Sequence, residues 1–323
     1  MKKQLFNSRS LEAKKINPLQ HRLSLSRRDW LRTYFYSVFL LPIRFLLLLL
    51  IHTISYVILR IALFKLNEEN LLNEPIDSSW RNFLKTVLAF LGRIIVRVCG
   101  ISVTVKGQIS PKENAPIFVI APHTSHIDGF IAGFWCNAPS LVLLDLYTEL
   151  PFYDKMSLFW QHIALDRNDD KSRRNAETEI LMRTKNSKRN KGWPQIAIFP
   201  EGVCTNGKAL MHFKPGAFKP GKSVQPVLLR FTNEIDTVTS DRSSPYLGIL
   251  ATICQPVTRV EIQYLPVYQP CFEEQEDAEL FANNVRELMA LELDLPLSEM
   301  KFAEAKRELE LMRYWSKRRQ YLQ

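Results

Sequence analysis

His123 and Asp128, in the run IFVIAPHTSHIDGF, are residues whose types and spacing could do acid–base chemistry. A carboxylate that holds one nitrogen of an imidazole leaves the other free to take a proton, the pairing that activates a hydroxyl nucleophile. Five positions on one continuous helix would set the two side chains about 140° apart, on different faces. They can meet only across a strand-to-helix turn. The sequence offers one: an apolar run, Pro122, His123, then a helical pattern with Asp128 in its first turn. The pattern alone is weak, because a turn histidine followed by an aspartate capping a helix reads the same way.

The pair has company. A second apolar run, QIAIF, ends in Pro200, Glu201 and Gly202, and FKPGAF follows over Phe213 to Phe218. Short β-branched or apolar runs at Ile101 to Val105, Ile117 to Ala121, Gln195 to Phe199, Val224 to Phe231 and Val260 to Val267 predict strands. Helical patterns lie between several of them, notably Asp128 to Cys136 and Ser172 to Met182. The expected fold is α/β, a mixed, mainly parallel sheet flanked by helices, whose strand ends gather ligand-binding loops.

Ahead of that domain, Trp30 to Leu66 is the most apolar stretch, interrupted by Pro42, Arg44 and Arg60. It reads as a membrane segment, either a tilted span with snorkelling arginines or a hairpin bent at Pro42. Trp80 to Ile101 suits a helix on a membrane surface or an ordinary packed amphipathic helix. Four regions result: a basic cytosolic N-terminal segment over 1–29, membrane-anchoring hydrophobic and amphipathic helices over 30–101, a catalytic domain over 102–270 and a helical C-terminal segment over 271–323. Lys185 to Lys191 reads as a solvated basic loop.

In order, HTSHID, ALDRNDDKSRRN, IFPEGVCTNG and VQPVLLRF resemble the four blocks of the glycerophosphate and lysophospholipid acyltransferase family, covering about Val105 to Phe231. The FPEG-x-C-T-N-G block with FKPGAF and VQPVLLR is most similar to the lysophosphatidylcholine acyltransferase branch. The resemblance implies that His123 takes the proton of an acceptor hydroxyl as it attacks an acyl-CoA thioester, with Asp128 orienting the imidazole. It implies further that Arg167 holds the acceptor phosphate, that Glu201 and Gly202 bind the acceptor, and that Pro226 shapes an acyl channel. Lys214 is a candidate second contact to phosphate or coenzyme A. Val203 departs from the threonine common in the branch, and no calcium-binding loop follows. Acyl-CoA is expected as co-substrate rather than a cofactor, with no metal, at the cytosolic face of the endoplasmic reticulum membrane.

The formal charge of +10 suggests an anionic partner of some kind. Much of the basic excess flanks the apolar segment, which favours membrane lipid and acyl-CoA over nucleic acid. The five cysteines are odd in number and widely spaced, without zinc spacing, and read as reduced thiols. Two rivals remain at this stage. One is a metal-dependent hydrolase using His123, His126 and Asp128 with His162 or His212. The other is a non-catalytic lipid-binding scaffold.

Overall fold

A computed structural model describes residues 16–67, 71, 73–125, 127–145, 152–185, 192–239 and 245–320. The sequence readings of 1–15, of His126 and of the basic loop after Lys185 lie outside the described residues.

Seven strands form one sheet: β1 (Ile101–Lys106), β2 (Ile117–Ala121), β3 (Ser140–Leu144), β4 (Ile163–Leu165), β5 (Ile196–Ile198), β6 (Val224–Phe231) and β7 (Thr258–Tyr264). Their spatial order is β1-β7-β6-β2-β5-β3-β4. Every neighbouring pair is parallel except β6 and β7. The fold is therefore the mixed, mainly parallel sheet expected. At its centre β2 is buried throughout, and alternation along the strand sends Ile117, Val119 and Ala121 to one face and Phe118 and Ile120 to the other.

Helices cover both faces. The first face packs against α5 (Asp170–Lys185) through Ala176 and Ile180, and against α8 (Ala278–Leu293) through Phe281, Val285 and Met289. The second packs against α3 (Ile127–Trp135) through Ile131, Phe134 and Trp135. The helical C-terminal stretch thus contributes to the main core. Its other members are α7 (Phe272–Glu276) and α9 (Phe302–Gln320).

Two helices precede the sheet: α1 (Arg27–Ala62) and α2 (Ser79–Val98). Pro42 lies inside α1 without ending it, so the hairpin expected at that proline does not form. A proline forfeits one backbone hydrogen bond, and this helix continues past the loss. Among the described residues α1 alone is long and apolar enough to cross a membrane. Its 36 residues extend about 54 Å.

The buried residues of α1 are Thr33, Arg44, Ile51, Ser55, Leu59 and Ala62, most of them toward its C-terminal end. Arg44 does not snorkel. Its guanidinium donates to the carbonyls of Gln255 at 2.7 Å and Pro256 at 3.1 Å, and to that of Ile253. These carbonyls close the C-terminus of α6 (Pro245–Cys254), where unpaired acceptors and the helix dipole favour a cation. Gly100, at φ +83°, leaves room for that guanidinium, since a Cβ there would stand 2.6 Å from it. Facing away from the domain, Leu31, Phe35, Phe39, Phe45, Leu46 and Leu50 are all exposed.

The second helix buries Leu88, Ala89, Gly92 and Val96 while leaving Trp80, Phe83 and Phe90 exposed, so it packs and presents an apolar face at once. Between α1, α2, α3 and α4 (Tyr153–Trp160) lies a small apolar cavity of about 50 Å³. Its wall includes Leu59, Phe130, Phe134, Tyr153 and Trp160.

Candidate active site

Adjacent parallel strands β2 and β5 end side by side, which brings the loop carrying His123 against the loop from Phe199 to Gly207. The pairing anticipated across a strand-to-helix turn is present. Asp128 sits in the first turn of α3, fully buried, and its Oδ2 lies 3.0 Å from His123 Nδ1. The same oxygen accepts the backbone N–H groups of Thr124 at 2.6 Å and Ser125 at 2.9 Å. One carboxylate therefore shapes the turn and orients the ring.

The β5 loop grips His123 at both ends of its backbone. Glu201 Oε1 accepts the His123 N–H at 2.7 Å, and the Thr205 N–H donates to the His123 carbonyl at 2.6 Å. Phe199 stacks on the imidazole with ring centroids 4.3 Å apart. The remaining nitrogen, Nε2, meets Cys204 Sγ at 3.5 Å. Burial disfavours a charged imidazole here, but the Cys204 sulphur and the Asp128 carboxylate outweigh it and push the ring up to about 10.

Glu201 has a carboxylate with no exposed surface, and both oxygens are taken by backbone donors, the second by the Met211 N–H at 3.2 Å. It holds the loop and His123 in place. Burial pushes it up to about 7, opposed by those two N–H bonds and by the charges of His123 and Arg286.

Pro226 lies buried in β6, opposite Val119 of β2, and its carbonyl accepts the Leu265 N–H at 3.0 Å. The apolar cavity is lined by helices α1 to α4 without it.

Arg167 and Lys214 converge on the ring of Phe302, at 5.9 Å and 4.0 Å from its centroid. Burial first, and then the Arg167 and Arg173 charges, bring the Lys214 ammonium down to about 8. Two cations this close make a local positive field suited to an anionic group. Gly202, at φ +72°, permits the arrangement, because a Cβ would meet the Lys214 stem at 3.0 Å and Phe302 at 3.2 Å.

Val203 needs no hydrogen bond. It is buried with Leu19, Met211 and Ala305, while Asn206 donates its side-chain amide to the carbonyls of Asn17 and Gln20. The segment before α1 therefore docks on the site loop.

Of the other histidines, His162 accepts the Leu141 N–H on Nδ1, and His212 faces Arg286 and Glu299. Neither is near a metal-like cluster, and among the described residues no three His, Cys, Asp or Glu side chains form one. Cys204 and Phe302 had no role in the sequence reading. Cys204 stands three residues after Glu201 in the same motif, a proximity that was the available signal.

The acyltransferase family model matches residues 102–230, the span that carries this site. Lysophosphatidylcholine acyltransferase 2B of Rattus norvegicus is 37% identical over 292 residues, 90% of this chain and 55% of that protein. Lysophosphatidylcholine acyltransferase 2 of Homo sapiens is 38% identical over 285 residues, 88% of this chain and 51% of that protein. The chain spans about half the length of these curated relatives. Among solved structures, the crystal structure of the 1-acyl-sn-glycerophosphate (LPA) acyltransferase, PlsC, from Thermotoga maritima shares the fold. It superposes with a TM-score of 0.56 at 17% identity, over 84% of this chain and 98% of that one.

Proposed function

The chain belongs to the acyltransferase family, and from that premise we propose that it is an acyl-CoA-dependent O-acyltransferase. Its acceptor in this reading is the free hydroxyl of lysophosphatidylcholine or lysophosphatidylethanolamine. The observation that carries the proposal is His123, oriented at Nδ1 by a buried carboxylate 3.0 Å away, with Nε2 left for proton transfer. In its neutral form the imidazole takes the hydroxyl proton on Nε2 as the oxygen attacks a thioester carbonyl, and Asp128 stabilises the imidazolium that forms. The departing thiolate then takes that proton.

Arg167 and Lys214 hold a phosphate, of the acceptor or of coenzyme A, in the field they share beside Phe302. The names of the relatives favour choline as the headgroup. The surviving His–Asp pair weighs against a non-catalytic scaffold.

The membrane reading follows from α1. A perpendicular span needs about 30 Å of helix clear of the domain. The longest stretch between two buried residues of α1, Thr33 to Arg44, is about 16 Å. We infer a helix lying along one leaflet, its exposed apolar side in the lipid and both its ends on the cytosolic side of the endoplasmic reticulum.

The test is acyl transfer from labelled acyl-CoA by the purified chain in detergent, against a panel of lysophospholipids and glycerol 3-phosphate, with and without chelator. Chelator-insensitive esterification of lysophosphatidylcholine that falls by about 10²–10⁴-fold in His123→Ala is the expected result. Activity that survives in His123→Ala, or no transfer to any acceptor, defeats the reading.

A further inference from the structure

We propose that Lys85, Arg183 and His162 form a second anion site, which takes a phosphate monoester at the edge of the sheet opposite His123. Such a group is presented alike by a lipid headgroup and by free phosphate. The site is independent of the acyltransferase reading above and leaves its mechanism as it stands.

His123 follows the carboxyl end of β2, whereas this group gathers where β3 and β4 begin. Arg183, near the end of α5, is only 1% exposed. Its Nη1 donates to Ser140 Oγ at 2.9 Å and to the Gln161 carbonyl at 2.6 Å, and its Nη2 meets the Glu179 carboxylate. Trp193 lies beneath it, 4.1 Å from Cζ to the ring centroid. The remaining donor, Nε, is buried without a hydrogen-bond partner among the described residues. Lys85 stands on the domain-facing ridge of α2, in step with Leu88, Ala89, Gly92 and Val96. Leu88 and Ala89 pack with Phe159 and Trp160, which directly precede Gln161 and His162. Among the described residues the Lys85 ammonium has no hydrogen bond or ion pair. Burial first, and then the charges of Lys85 and Arg183, bring the His162 ring down to about 3, so it is neutral. Its Nδ1 accepts the Leu141 N–H at 2.9 Å, which leaves its hydrogen on Nε2 as a donor.

Positive charge here exceeds its answer. Burial, and next the Arg183 charge, bring the Lys85 ammonium down to about 8. The same two causes bring Lys112 to about 8 against the pull of Glu113, while its ammonium donates to the Trp193 carbonyl at 2.6 Å. A cation withdrawn from water without a counter-charge destabilises the fold, and a like neighbour adds to the cost. An anion among them relieves both. Lys85 Nζ, Arg183 Nε and His162 Nε2 are donors from three separate elements, which suits the three free oxygens of a phosphate monoester better than the two of a carboxylate or a diester. Lys85 and Lys112 are partly exposed and give the ligand its entrance. The other side of α2 exposes Trp80, Phe83 and Phe90, so a headgroup bound at Lys85 lies one helix width from lipid.

The test is the melting temperature of the full chain in detergent as inorganic phosphate is added, against chloride at matched ionic strength. Beside wild type stand Lys85→Met, Lys85→Arg and the pair Arg167→Ala with Lys214→Ala, which removes the cations beside Phe302. Phosphate should raise the melting temperature of wild type, of the pair and of Lys85→Arg, and leave that of Lys85→Met unmoved. In chloride alone Lys85→Met should melt at or above wild type, because a like charge has gone from beside Arg183. The series is repeated in mixed micelles of phosphatidylcholine with and without phosphatidate. A shift with phosphatidate that Lys85→Met abolishes, where inorganic phosphate gives none, assigns the site to a lipid headgroup; a shift with inorganic phosphate assigns it to free phosphate. A wild type indifferent to both probes overturns the proposal, as does a response that Lys85→Met retains or that the paired variant loses. Lys85→Met melting well below wild type in chloride also overturns it, since the lysine is then already paired.

Discussion

Glu201 and Cys204 hold His123 from its backbone and from its ring, and each is open to a separate test. Glu201→Ala leaves the N–H groups of His123 and Met211 without partners in a dry site. A buried donor left unpaired costs about 1–3 kcal/mol, so the variant should unfold at lower denaturant and lose turnover as His123 drifts. A variant as stable and active as wild type would contradict the strut. The sulphur of Cys204 is the largest upward influence on His123, so in Cys204→Ala the imidazole should titrate below the wild-type value of about 10, followed by NMR of labelled histidine. The sign for stability follows. A histidine raised above its ordinary 6.5 stabilises the fold fully below that pH and loses the contribution as pH rises through about 10, so unfolding of His123→Gln should depend less on pH across that window. His123 and Asp128 were legible because a spacing of five has one geometric solution. Glu201 was legible as important but not as buried, since a sequence does not say which loop closes over a carboxylate. Cys204 was invisible for the same reason, its meaning being a distance to a ring 81 positions away.

At the scale of elements, the arginine inside α1 decides how the apolar helix meets the sheet domain. Arg44→Leu keeps the helix apolar but leaves the carbonyls at the end of α6 without their cation. Hydrogen bonds to charged groups contribute about 1.5–3 kcal/mol, so amide exchange across 250–256 should speed up while membrane binding persists. Gly100→Ala should do likewise by displacing the guanidinium, and protection equal to wild type in both variants would show that the clasp is idle. Five of the seven strands were legible, because β-branched runs bounded by Pro, Gly or Asn have few other uses. The other two, β3 and β4, were not. β4 is only Ile163–Leu165, and the run containing β3, although Pro139 precedes it, was passed over between the stronger signals on either side. Pro42 suggested a bend because propensity was weighed locally, whereas α1 runs on through it from Arg27 to Ala62.

For the whole molecule, a helix fastened along its length to one body places both of its ends on the same side of a bilayer. Tags at the two chain termini should therefore be digested together by protease added to sealed microsomes. Protection of one end alone would restore a crossing helix. In vesicles carrying lysophosphatidylcholine in both leaflets, externally added protein should consume the outer pool and spare the inner. The exposed residues Phe35, Phe39 and Leu46 supply the attachment, so changing all three to serine should release the protein from vesicles. Fastened in this way, the protein is also an agent of shape. In the proposed reaction each turnover would replace a one-chain, wedge-like lipid with a two-chain, cylindrical one on a single side of the membrane, so sustained catalysis would relax the curvature of that monolayer while its partner stayed as it was.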